Sequence, residues 1–225
     1  MKKILLTTLL SVFYITSASA DAGINIGVSG QMGLFAASAQ ESHTDTTSSS
    51  STTFKSSDTE VAAVGYASVF IEKTLGERLA IGIDYVPSAL ESDTVESTKT
   101  DLSGTGSPLS SSKTNTVQVD FEDLTTIYLA FNISENMYVK AGAASVDVIT
   151  KETLGTGSTY GNTDMDGEMY AIGYNKTFGE TMFLRVEGSY MDFGSTSVTA
   201  SNTDNKVELS KLEGLVGKLS IGKSF

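Results

Sequence analysis

The chain has 225 residues and a formal net charge of -12, with 40% apolar and 19% charged residues. It contains no Cys, no Trp, two Pro and a single His. Disulfides, thiol catalysis, Cys-ligated clusters and multi-histidine metal centres are thereby excluded, and the acidic balance speaks against nucleic acid, whose phosphates require Lys and Arg.

The first twenty residues read as an export signal. Lys2 and Lys3 form a basic start, Ile4 to Ile15 an apolar stretch, and Ala18-Ser19-Ala20 an A-x-A cleavage site before Asp21. A stretch of twelve residues, at about 1.5 Å each, is too short to cross about 30 Å of hydrocarbon as a helix. Residues 1–20 are therefore expected to be a cleaved signal peptide, and 21–225 a single domain. Cleavage removes two lysines and no acid, so the remainder is more acidic still.

Beyond residue 20 the apolar residues recur with period two, the signature of strands. In 23–37, Ile24, Ile26, Val28, Met32 and Leu34 oppose Asn25, Gly27, Ser29 and Gln31. In 60–73, Val61, Ala63, Ala67, Val69 and Ile71 share a parity, and in 79–87 Leu79, Ile81, Ile83 and Tyr85 oppose Ala80, Gly82 and Asp84. Residues 117–132 group Val117, Val119 and Phe121 with Ile127, Leu129 and Phe131, Asp123 being the exception. In 137–149, Val139, Ala141 and Ala143 oppose Lys140 and Gly142. Residues 168–178 show Tyr170, Ile172, Tyr174 and Phe178, and in 182–193 Leu184, Val186 and Tyr190 oppose Arg185, Glu187 and Ser189. Last, 207–225 sets Leu215, Leu219, Ile221 and Phe225 against Lys218, Ser220 and Gly222.

Eight strands follow from these runs, and two kinds of connection alternate between them. Tight turns are expected at Thr74–Arg78, Ser134–Asn136 and Gly179–Thr181. Long polar segments are expected at 38–58, 88–116, 150–163 and 194–205. Ser and Thr fill 13 of 21 positions in the first and 14 of 29 in the second, too little apolar surface to fold alone. Short turns at one end, long loops at the other and an even strand count describe an outer-membrane barrel. The fold class is all-β, an eight-stranded antiparallel up-and-down transmembrane β-barrel. The apolar face points to lipid, because the other carries Asp84, Lys140, Arg185, Glu187 and Lys218, and a Lys or Arg facing lipid at mid-membrane costs about 2–4 kcal/mol. Phe131, Tyr138, Phe178, Phe183 and Phe225 near the short turns, and Tyr85, Tyr190 and Phe193 toward the loops, suggest two aromatic girdles.

The chain resembles the small eight-stranded outer-membrane barrels of the OmpA transmembrane-domain and OmpX type, a porin-family grouping. The residues that carry the likeness are Ser68-Val69-Phe70-Ile71-Glu72, Gly82-Ile83-Asp84-Tyr85-Val86-Pro87 and the terminal Phe225. The resemblance implies residence in the bacterial outer membrane, contact with its lipid, and handling by the barrel-assembly machinery through a C-terminal aromatic preceded by alternating apolar residues. Phe225, Ile221 and Leu219 match that signal and Lys223 departs from it. With Phe225 last, no peptidoglycan-binding domain is expected to follow the barrel.

Candidate chemistry is sparse. Asp164, Asp166 and Glu168 place three carboxylates on one strand face, a weak match to a hard cation such as calcium. Gly155-Thr156-Gly157 lacks the spacing of a dinucleotide loop, since the next glycine is Gly161. His43 lies between Glu41 and Asp45 among serines, and lipid-modifying outer-membrane enzymes of this barrel size use a His and a Ser at the outer rim. His43 sits in a Ser/Thr tract expected to lie off any strand, where nothing would hold it in catalytic reach. The expectation is a non-enzymatic barrel without cofactor or metal, with a structural or surface-interaction role through acidic Ser/Thr-rich loops. A small porin-like channel and a lipid-modifying enzyme are the alternatives. An eight-stranded lumen is only wide enough for side chains to fill, so Asp84, Lys140, Arg185 and Glu187 are expected to form a buried charge network.

Overall fold

The computed structural model describes residues 23–45, 52–88, 90–91, 95–99, 113–154, 159–201 and 206–225. The export segment and Gly155-Thr156-Gly157 lie outside the described residues. The strands are β1 Ile24–Asp45, β2 Thr52–Leu75, β3 Leu79–Tyr85, β4 Leu90–Glu91, β5 Val95–Lys99 and β6 Lys113–Asn132. They continue with β7 Met137–Leu154, β8 Thr163–Phe178, β9 Met182–Asp192, β10 Thr196–Thr199 and β11 Lys206–Ser224. β3, β4 and β5 follow one another along β6, and β9 and β10 follow one another along β11, so the wall has eight positions. Neighbours in the ring are antiparallel, and β11 returns to pair β1 from Asn25↔Ser224 up to Ser42↔Lys206.

Glycine makes two of the tight turns. Gly76 and Gly179 adopt φ of 74° and 64°, a left-handed backbone open to glycine at no steric cost. They reverse the chain between β2 and β3 and between β8 and β9. The ends of the domain are tied in register: Ile24 N donates to Phe225 O at 3.1 Å, and Phe225 N to Ile24 O at 2.8 Å.

The long connections are shorter than the composition implied, because strands occupy much of them. β1 and β2 stay paired up to Asp45↔Thr52, through a tract read as loop. Threonine is β-branched and suits a strand, and a hairpin in water needs no continuous apolar face to complete its backbone bonds. At about 3.4 Å per residue and a tilt near 45°, a strand of 22 residues rises roughly 50 Å, twice the apolar belt of such barrels.

The barrel is apolar outside. Ile26, Val28, Met32 and Leu34 on β1, Leu129 and Phe131 on β6, Ile172 and Phe178 on β8, and Leu215, Leu219 and Ile221 on β11 all face outward and exposed. Met32 is 71% exposed and Leu215 64%. No helix among the described residues is long and apolar enough to cross a membrane; strands do the crossing here. Inside, the half toward the short turns holds charges and the half toward the long connections holds an apolar layer that includes Leu124, Val146, Met165, Met169, Met191 and Val216.

One parity grouping fails. Val119 and Phe121 pack against the lumen's apolar cluster, whereas Leu129 and Phe131 face outward. The cause is a β-bulge: Glu122 pairs Asp147 and Thr125 pairs Ser145, so β6 spends one extra residue there. Asp123 sits in it with φ 54°, and one inserted residue moves every side chain beyond it to the other face. Tyr138, Phe183 and Phe193, read as girdle residues, also turn inward and are buried. Tyr138 shares the parity of Lys140, and Phe183 that of Arg185.

The bulge gives a first test. Asp123→Val forces a β-branched side chain into left-handed backbone and should lower stability by about 1–2 kcal/mol. Asp123→Gly, unstrained there, should lose less even though it gives up the 2.7 Å hydrogen bond from Tyr85 Oη. Urea unfolding of the refolded barrel, followed by its heat-dependent gel mobility, orders the two; equal losses would refute the left-handed assignment.

Candidate functional site

The charged layer of the lumen begins with β2. Tyr66, Ser68, Phe70 and Glu72 share the inward parity, and Glu72 is 1% exposed. Glu72 Oε1 accepts from Arg185 Nη1 of β9 at 2.6 Å and from Tyr128 Oη of β6 at 2.8 Å. Asn25 Nδ2 of β1 donates to its other oxygen at 3.2 Å. Lys140 Nζ of β7 lies 3.6 Å from Glu72 Oε1 and 2.9 Å from Glu187 Oε2. Glu187 also accepts from Tyr138 Oη at 2.9 Å. Two carboxylates and two cations from three strands, β2, β7 and β9, thus share one layer.

Aromatic rings complete the cations' surroundings. Lys140 Nζ stands 4.2 Å from the Tyr128 ring centre, and the Arg185 guanidinium 4.4 Å from that of Phe183. These rings fit because glycines face them. A Cβ on Gly82 would come within 2.6 Å of the Tyr128 ring, and one on Gly173 would strike the Tyr138 ring. The glycines of the polar parity are the space into which the tyrosines reach.

A second pair lies higher. Asp84 Oδ2 of β3 meets Lys218 Nζ of β11 at 2.5 Å. Gln31 Nε2 donates to Ser68 Oγ at 2.8 Å and reaches Asp84 Oδ1 at 3.5 Å. Of the charges read from the sequence, Lys140, Arg185 and Glu187 therefore meet in one layer and Asp84 stands in the other. Glu72, the common partner of Lys140 and Arg185, is absent from the charges read from the sequence. Its signal was parity, since it alternates with Val69 and Ile71.

The remaining candidates lie apart from this network. Asp164, Asp166 and Glu168 point outward from β8, and Glu168 accepts from Tyr170 Oη at 2.7 Å. No group of three or more metal-ligating side chains is near enough to hold an ion among the described residues. The backbone of His43 is on β1 opposite Phe54, which corrects its expected place off the strands. Phe225 is exposed at the short-turn end, with Lys223 Nζ 4.8 Å from its ring centre. Above the apolar belt, Tyr190 Oη donates to Glu213 at 2.6 Å and Lys211 lies at 2.6 Å. Hydrogen bonds from Lys211 and Tyr190 hold the Glu213 carboxyl below the usual carboxylate range.

Breaking the layer should be costly. Glu72→Ala leaves Arg185 without its carboxylate in a closed lumen, and loss of one partner of a buried pair costs about 3–5 kcal/mol. The double variant Glu72→Gln, Arg185→Met removes both charges and should recover most of that loss. Urea unfolding in micelles measures both; a single variant as stable as the parent would show that water reaches the site freely.

No protein-family model and no curated protein matches the sequence. Solved structures do. The outer membrane protein OprG of Pseudomonas aeruginosa is similar at 10% identity, over 91% of this chain and 96% of that one, with a TM-score of 0.58. AlkL, solved in lipid bilayers, is similar at 15% identity over 93% of each chain, with a TM-score of 0.47. Ail of Yersinia pestis is similar at 12% identity, over 87% of this chain and 99% of that one, with a TM-score of 0.38. At such identities the likeness to OprG establishes the fold, and the exposed apolar belt around a charged lumen is independent of it. By fold and by surface, the chain is an integral eight-stranded β-barrel of the bacterial outer membrane.

Proposed function

We propose that this barrel is closed to solutes and acts at the cell surface, through the strand ends and acidic Ser/Thr-rich connections it holds outside the membrane. The filled lumen carries the reading. Ion pairs span its lower half and an apolar layer occupies its upper half. An ion crossing this path would have to shed water beside Met169, Met191 and Leu124. Open channels use 16–18 strands, whereas side chains fill eight. The long hairpin of β1 and β2 supports the surface role, since it continues past the apolar belt. On this reading residues 1–20 are the export signal, and the chain performs no catalysis.

Planar-bilayer recording tests the closed barrel: the refolded protein should give no steady open steps, and reproducible porin-like steps would refute it. Proteinase K applied to intact cells tests the orientation. Cleavage is expected within the Ser/Thr-rich connections 38–58 and 88–116, with the turns at 74–78 and 134–136 spared. Cleavage confined to those turns would invert the barrel.

The same reading makes Phe225 part of the signal that engages the barrel-assembly machinery. Deleting Phe225 should sharply lower outer-membrane abundance in cells and leave refolding into thin bilayers of pure lipid less affected. Normal abundance of the deleted form would dismiss this role.

A further inference from the structure

The boundary between the two halves of the lumen contains a cavity of about 20 Å³. Tyr66, Asp84, Lys218, Lys140 and Glu187 line it, and Leu124, Met169 and Met191 border it as well. Tyr66 is 8% exposed, yet its hydroxyl has no hydrogen-bond partner among the described residues. A phenol in this position is unusual, because buried tyrosine hydroxyls are nearly always paired. Its two lumen counterparts, Tyr128 and Tyr138, donate to Glu72 and Glu187.

We propose that the cavity binds one water molecule, held between Tyr66 Oη and the Asp84–Lys218 pair. Volume, polarity and charge agree on this occupant. About 10–15 Å³ suffices for one water, and a buried water needs two to four polar partners. Those partners have capacity to spare. Lys218 Nζ has three donor positions and uses one on Asp84 Oδ2. Among the described residues, Asp84 Oδ1 receives the long contact of 3.5 Å from Gln31. Tyr66 Oη can donate to the water while the water donates to Asp84 and accepts from Lys218.

Other occupants fit less well. A hydrocarbon would strip water from Asp84 and Lys218 without replacing its hydrogen bonds. An ion would meet charges already matched, since Asp84 pairs with Lys218 and Glu187 with Lys140. Leu124, Met169 and Met191 give the site one apolar side. The water is thus a component of the folded barrel, and Tyr66 is a positioning residue for the Asp84–Lys218 pair.

The test uses the full domain refolded in micelles, its crystal structure, and Tyr66→Phe, which keeps the ring and removes only the hydroxyl. Water density is expected within about 3.2 Å of Tyr66 Oη. Tyr66→Phe should unfold in urea on the order of fivefold faster, as expected for a lost buried hydrogen bond. Absence of density at Tyr66 Oη would overturn the proposal. So would slower unfolding of Tyr66→Phe, since removing an unpaired hydroxyl from a dry cavity stabilises. Density accompanied by unchanged unfolding would overturn the role given to Tyr66.

Discussion

Hydrocarbon offers no partner for a backbone N–H or C=O, so a sheet in a bilayer must close on itself. The pairing of β1 with β11 meets that constraint here. It ties Ile24 to Phe225 at one end and runs past the belt at the other. Closure also decides where each side chain lies. Once strands form a ring, one parity has lipid as its solvent and the other has only the lumen. Met32 and Leu215 are stable while exposed because acyl chains replace the core of a soluble protein. Glu72 and Arg185 are stable while buried because they have each other.

The lumen then becomes a packing problem. Eight strands enclose little space, and the chain fills it with two materials in series. Near the short turns, long polar side chains cross from strand to strand, and glycines opposite Tyr128 and Tyr138 give the rings somewhere to lie. Near the long connections, Met165, Met169, Met191, Leu124 and Val216 pack as they would inside a globular domain. Methionine suits this layer, since an unbranched side chain adapts to the irregular taper between strands. The cavity beside Tyr66 lies at the boundary between the two materials.

Period-two alternation made the fold legible, because lipid and lumen are opposite solvents and selection for both writes a strong pattern. Strands such as 23–34 and 182–191 could be read residue by residue for that reason. The pattern misled in three physical situations. A bulge at Asp123 reversed the parity of β6, and only the lone acid in an apolar face marked the place. Aromatics near strand ends were assigned to girdles by height along the strand, whereas Tyr138 and Phe183 obey the parity of Lys140 and Arg185. The Ser/Thr tracts were read as loops for want of apolar surface, yet strands leaving the bilayer need only paired backbones. Within the charged layer, each residue's face was readable and its partner was not. Partners depend on stagger between strands, which sets Glu72 beside Arg185 across 113 residues of sequence.

The order of the two layers bears on how the barrel behaves as a whole. If the lumen held charges alone, solvent could thread between them and each ion pair would be weakened by a high dielectric. The apolar layer prevents this from the long-connection side, and the rings of Tyr128, Tyr138 and Phe183 shield the cations laterally. Shielding strengthens the pairing of Glu72 with Arg185 and of Glu187 with Lys140, and it raises the penalty for exposing any one of them. The apolar layer in turn depends on the charges, whose cross-links hold β2, β7 and β9 at the spacing the methionines fill. Each half of the lumen maintains the condition that the other requires.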